Sequence, residues 1–132
     1  TLYIRIKEIE KNAIKLSKYL KEHPKVSKVF HPALPDFYNH HIWKRDFSGS
    51  TGLFSFTLDK EYSNRKIEKF CKKLKIFQIG YSWGSFESLI TFPSLKERFF
   101  KNKIKGNLVR IYCGLEDSKD QINDIEKALK SL

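Results

Sequence analysis

Two stretches of this chain have residue types and spacing suited to chemistry. The first is the run Leu108-Val109-Arg110-Ile111-Tyr112-Cys113. Side chains on a strand alternate between faces, so Val109, Ile111 and Cys113 form an apolar set suited to a core. Leu108, Arg110 and Tyr112 share the opposite face. An arginine in mid-strand is costly to desolvate unless an anion meets it. One such anion is a nearby carboxylate, Glu116 or Asp117, which would make a snorkelling surface ion pair. The other is the carboxylate of a ligand, gripped by the planar guanidinium fork. The spacing leaves both open. The second stretch is Gly80-Tyr81-Ser82-Trp83-Gly84. Glycine allows backbone angles that turn N–H groups toward a ligand, and a tryptophan at a loop tip can wall a pocket. The alternative is a tight turn whose indole packs on the core.

Other chemistries find little support. The four histidines (His23, His31, His40, His41) and two cysteines (Cys71, Cys113) contain no C-x-x-C or H-x-x-x-H pair, so metal-ligand spacing is absent. His23 and His31 each precede a proline and read as turn residues. Cys71, beside Phe70, reads as buried packing. No Ser or Cys stands with a His in a nucleophile context, and no Gly-rich phosphate loop occurs. Lys96, Arg98, Lys101, Lys103 and Lys105 form a basic stretch that reads as a solvated face. Phe54 and Phe56 alternate like the aromatics of an RNA-binding sheet, but the glycine-aromatic core of that motif is missing.

The elements that must position these residues follow from periodicity. Ile6, Ile9, Ala13, Leu16 and Leu20 recur at helical spacing, and this helix must stop near His23-Pro24. Val26, Val29 and Phe30 suggest a strand that ends in the Pro32 to Pro35 turn cluster. Residues 36–51 read as a long connection, a feature often functional in small domains. Leu53 to Leu58 is a strand, Ser63 to Leu74 a helix, Lys75 to Ile79 a strand, and Ser88 to Phe92 another. Ser94 with Glu97, and Ser118 with Gln121, have capping-box spacing, predicting a short helix and a final helix bearing Ile122, Ile125 and Leu129. Asn102 to Asn107 reads as a polar loop, followed by the strand of Arg110. This mixed order predicts an α+β fold, a mostly antiparallel sheet with helices packed on one face.

At 132 residues the chain has room for one domain. Hydrophobic residues are 40% of it, which argues against disorder. No apolar run approaches the ~18–20 residues of a bilayer span, no secretory leader is expected, and two cysteines predict no disulfide framework. These point to a cytoplasmic setting. The net charge of +11 suggests a polyanion partner. Against nucleic acid stands the make-up of that charge, 21 Lys and only 5 Arg, because base readout favours arginine's flat fork. Lysine, isoleucine and phenylalanine rise together as AT-rich coding would produce. The chain has no Met and opens on Thr1, which reads as a processed or excised piece.

Several motifs together resemble one family. Trp43-Lys44-Arg45-Asp46-Phe47 with Ser48-Gly49-Ser50-Thr51-Gly52-Leu53-Phe54-Ser55-Phe56 resembles the W-K-R-D-F-x-G-x-x-G-L-F-S-F segment of bacterial cystathionine β-lyases. Gly80 to Leu89 is similar to their G-Y-S-W-G-G-F-E-S-L. Arg110 with Gly114-Leu115-Glu116-Asp117 is similar to their R-x-x-x-G-L-E-D. The His23-Pro24 to His31-Pro32-Ala33-Leu34 stretch also fits. The wider family is the Cys/Met-metabolism enzymes that depend on pyridoxal phosphate.

The resemblance implies that residues 1–132 are a single, substrate-side C-terminal domain, with the cofactor-binding N-terminal domain absent. It implies that Arg110 holds the α-carboxylate of an amino-acid substrate, that Ser82 and Trp83 shape the pocket, and that Glu87-Ser88-Leu89 supports their loop. No catalytic or cofactor-binding residue is expected here, because the Schiff-base lysine stands in an S-x-T-K context and none of the 21 Lys follows a Thr. The complete enzyme would use pyridoxal phosphate, act as a homo-oligomer and cleave the C–S bond of cystathionine. This chain alone is expected to bind no cofactor and to be inactive. A γ-lyase or γ-synthase relative and a basic nucleic-acid module are the rival readings. Ser85 replaces the family's second glycine, which would strain the loop if that position needs positive φ.

Overall fold

The apolar stripes of the first, third and last helices and the inward residues of the strands meet in one shared core. The computed structural model describes residues 1–96, 98 and 104–132. Its elements are α1 (Leu2–Lys21), β1 (Val26–Phe30), α2 (His40–Asp46), β2 (Leu53–Leu58), α3 (Asn64–Lys73), β3 (Gln78–Ile79), β4 (Leu89–Thr91), β5 (Leu108–Tyr112) and α4 (Ser118–Leu129). The sheet order is β1-β2-β5-β4-β3. All neighbours are antiparallel except β3 and β4.

The pleat sorts the strands into two faces. Phe54 pairs with Ile111 and Phe56 with Val109, while Ile90 pairs with Ile111 on the other side of β5. These residues join Ala13, Leu16 and Leu20 of α1, Phe70 of α3, and Ile125, Ala128 and Leu129 of α4 in one buried cluster. The α+β fold with its helices on one face is therefore present. The opposite face carries Ser55, Arg110 and Thr91 in one cross-strand row, beside Leu53, Tyr112 and Leu89 in the next.

Four expectations change. The connection 36–51 contains α2, a two-turn helix that buries no residue and so shows no apolar periodicity. The strand expected from Lys75 shrinks to Gln78–Ile79, because the N–H groups of Lys75, Ile76 and Phe77 donate instead to the Asp124 carboxylate at 2.8, 2.9 and 3.1 Å. The cap of α4 is Asp117, whose Oδ1 accepts from Lys119 N and Asp120 N. Ser118 begins the helix, and the Gln121 side chain turns inward. His31 closes a turn, with Leu34 N donating to its carbonyl, but its ring is also fully buried against Phe54. Where the short helix is expected, Ser94 to Lys96 are not helical and Arg98 N donates to the Leu95 carbonyl at 2.9 Å, while Glu97, Lys101, Asn102 and Lys103 lie outside the described residues. Among the described residues no helix is long and apolar enough to cross a membrane.

His31 supplies a test of this packing. Its Nδ1 accepts from Ala33 N at 3.1 Å, and burial depresses its pKa from 6.5 to about 4. The unfolded chain therefore takes up a proton that the folded chain refuses as the pH falls below 6.5. Stability should be full above that value and fall as the pH drops toward about 4. An His31→Asn variant, whose side chain can still accept from the Ala33 N–H, should lose this component of the pH dependence. Urea midpoints at neutral and mildly acid pH check it.

Candidate functional site

The site is set by how β3 reaches β4. Parallel neighbours run in the same direction, so their connection must travel back along the sheet, usually through a dozen or more residues. Here Gln78 pairs with Leu89 and Ile79 with Ile90, which leaves only Gly80–Ser88 for the return. This short path crosses the open face beside β5. Tyr81 through Glu87 are all exposed, so no side chain between them is anchored in the core.

The crossing is held instead by groups of β5 and the turn after it. Arg110 Nη2 donates to the Tyr81 carbonyl, and its guanidinium carbon lies 5.3 Å from the centre of the Trp83 ring. Tyr112 donates its hydroxyl to the Ser85 carbonyl at 2.8 Å. Leu115 N donates to the Phe86 carbonyl at 2.8 Å. Trp83 stays half in solvent, at 56% exposure, so its indole is not a core residue. Ser82 sits beside it, also exposed. Arg110, Trp83 and the backbone at Tyr81-Ser82 thus meet in one place. Arg45, by contrast, forks its neighbour Asp46 at the exposed end of α2, with Nε–Oδ1 at 2.7 Å.

The ion pair considered for Arg110 does not form. Glu116 faces inward, where Ser88 N and Ser88 Oγ donate to its two oxygens at 2.8 and 2.7 Å. Asp117 caps α4. Among the described residues Arg110 has no carboxylate within salt-bridge distance. Its partners are a neutral carbonyl and a ring face, and the rest of its five donors have no protein acceptor among the described residues. Held this way, the guanidinium keeps donors from which an anion can accept, and a planar fork has the geometry to match a carboxylate.

Gly84 adopts φ +93°, whereas Ser85 does not have positive φ. The strain considered for Ser85 is therefore absent, and the left-handed residue of the loop is still a glycine. Burial raises the Cys71 and Cys113 thiols above their ordinary value, as suits packing residues. Of the polar residues behind the site, Ser88 lies in the stretch expected to support the loop, whereas Asn12, Glu116 and Gln121 escaped the sequence reading in that role. A signal existed, since Asn12 interrupts the apolar stripe of α1 between Ile9 and Ala13, and Gln121 stands one turn before Ile125.

Residues 1–130 match the model of the Cys/Met metabolism PLP-dependent enzyme family, and the chain belongs to that family. The L-alanine/L-glutamate racemase of Wolbachia pipientis is 41% identical over 100% of this chain and 34% of its own length. The cystathionine beta-lyase of Escherichia coli is 39% identical over 96% of this chain and 33% of its own. Human cystathionine gamma-lyase is 34% identical over 99% and 34%. The chain spans about a third of the length of these relatives.

Gly114 closes the back of the site. A Cβ there would lie 2.1 Å from the Phe86 carbonyl oxygen and 2.7 Å from Glu87 C, both backbone atoms. A Gly114→Ala substitution should therefore push the crossing off the turn. A loss of about 1–3 kcal/mol is expected from the overpacking, with faster exchange of the Leu115 amide. Denaturant melts and amide exchange check the two parts.

Proposed function

We propose that this chain is the substrate-carboxylate-binding domain of a pyridoxal-phosphate lyase that cleaves cystathionine between Cβ and sulfur. The observation that carries the reading is the un-neutralised Arg110 fork standing against Trp83 on the open sheet face. In this reading Arg110 takes both oxygens of the α-carboxylate, and Trp83 with the Tyr81-Ser82 backbone borders the bound amino acid. Holding the carboxylate fixes the direction of the Cα–H bond, an orientation effect.

Neither the described residues that touch Arg110 nor the cavity beside α1 fit the cofactor. The groups that touch Arg110 are the Tyr81 carbonyl and the Trp83 indole, which offer no amine for a carbonyl carbon. Lys7, beside the cavity that α1 forms with residues 47–51, is already paired to Glu10 at 3.3 Å. No step is therefore assigned here to pyridoxal phosphate, which supplies the electron sink when bound elsewhere in such enzymes. The remaining part of the enzyme, comparable to the other two thirds of the relatives, would hold it. The exposed Leu2, Tyr3 and Ile4 at the start of α1 suit packing against further protein.

A racemase reading has comparable support in identity. Racemisation also begins by fixing the carboxylate and removing the α-proton, so Arg110 serves either reaction. A γ-lyase would use it in the same way. Product analysis separates them. Cystathionine should give homocysteine, pyruvate and ammonia under the β-lyase reading, and L-alanine should give D-alanine under the racemase reading.

In the holoenzyme containing this chain, Arg110→Ala should lower kcat/KM roughly a hundredfold, the equivalent of about 2.7 kcal/mol. Arg110→Lys, which keeps the charge and loses the fork, should fall between. The 132-residue chain mixed with pyridoxal phosphate should show neither a visible-range imine band nor thiol release from cystathionine. Undiminished kcat/KM in Arg110→Ala, or thiol release by the chain alone, contradicts the proposal.

A further inference from the structure

We infer that Glu116 is a positioning residue for the Arg110 site, acting through Ser88 on the crossing that carries Trp83. This rests on the carboxylate-binding reading of Arg110. The crossing has no core anchor of its own between Tyr81 and Glu87, so its path depends on the backbone bonds from Arg110, Tyr112 and Leu115 and on where its ends are tied. At the start the tie is β3, two residues long. At the finish it is Ser88, which is fully buried and bound to Glu116 through both its backbone N–H and its hydroxyl.

The Glu116 carboxylate is itself fixed. Gln121 Nε2 donates to Glu116 Oε2 at 3.2 Å and to Ser88 Oγ at 3.1 Å. Gly114 N donates to the same Ser88 oxygen at 2.9 Å. Asn12 of α1 donates to the carbonyls of Gly114 and Glu116 at 3.1 and 3.0 Å. Both helices flanking the turn thus hold it, and the turn holds Ser88. A carboxylate is the side chain that can accept from Ser88 N, Ser88 Oγ and Gln121 Nε2 together, because it has two oxygens and no proton to donate. An amide would place N–H groups against one of these donors. The consequence reaches Arg110 through the crossing. The Tyr81 carbonyl and the Trp83 face are what hold the guanidinium in one orientation, with its remaining donors unpaired among the described residues.

The test uses the full chain in a Trp43→Phe background, which leaves Trp83 as the single tryptophan, together with the holoenzyme. Glu116→Gln should raise acrylamide quenching of Trp83 about twofold through local opening. It should also raise KM for the amino-acid substrate roughly tenfold while kcat changes less than about twofold. Ser88→Ala, which keeps the Ser88 N–H bond to Glu116, should show smaller changes in the same direction, and it serves as the test if Glu116→Gln does not fold. Asp117→Ala removes the neighbouring helix cap, so it should lower stability and leave Trp83 quenching and KM unchanged. Unchanged Trp83 quenching in folded Glu116→Gln, or in Ser88→Ala where it substitutes, overturns the inference. Increased quenching with unchanged KM upholds the tie and overturns the carboxylate reading of Arg110 instead.

Discussion

A guanidinium in the middle of a strand that receives a ligand carboxylate, the role proposed for Arg110, has to be kept in place without being neutralised. A protein carboxylate against Arg110 would hold it well, but a ligand carboxylate would then have to displace it. The two acidic residues that follow β5 are directed elsewhere, Glu116 inward to Ser88 and Asp117 to the N-terminus of α4. Arg110 is held instead by one carbonyl and one indole face. A cation–π contact contributes about 0.5–2 kcal/mol and leaves the positive charge in place.

The rest of the fold makes that arrangement possible. The helix-covered face of the sheet carries the core, so the opposite face is free to be crossed by Gly80–Ser88. The nearly strand-less approach to β3 has its own cause. Asp124 of α4 collects three successive backbone N–H groups before Gln78, which delivers the chain to the sheet edge with no long strand. Behind the crossing, Asn12, Ser88, Glu116 and Gln121 form a buried polar network. Networks of this kind specify one arrangement when satisfied. Gln121 Oε1 is its one buried side-chain atom without a partner among the described residues.

The sequence exposed this architecture unevenly. Alternation in Leu108 to Cys113 correctly separated Arg110 from the core, and the stripes of α1 and α4 located the helices. What stayed hidden depends on contacts remote in sequence. Nothing near Lys75 announces that Asp124 will take its N–H. The seven residues of α2 bury nothing, so no periodicity marks them. Glu116 lies close enough to Arg110 in sequence to suggest a pair, and only the inward turn at Gly114 shows that it faces Ser88. The motifs around Trp83 and Arg110 indicated the family before the fold was known, and the match over residues 1–130 places the chain in it. Motif resemblance pointed to the lyase branch, but the relatives include a racemase as well as lyases. The carboxylate role proposed for Arg110 does not by itself choose between these activities.

The most direct measurement of the central claim is Trp83 emission in the holoenzyme during titration with an unreactive amino acid and with its methyl ester. The ester keeps the side chain and amine but lacks the anion. If Arg110 receives the α-carboxylate beside the indole, the acid should shift Trp83 emission saturably, the ester should not, and Arg110→Ala should abolish the difference. An equal response to acid and ester, or a response that survives in Arg110→Ala, would contradict the account.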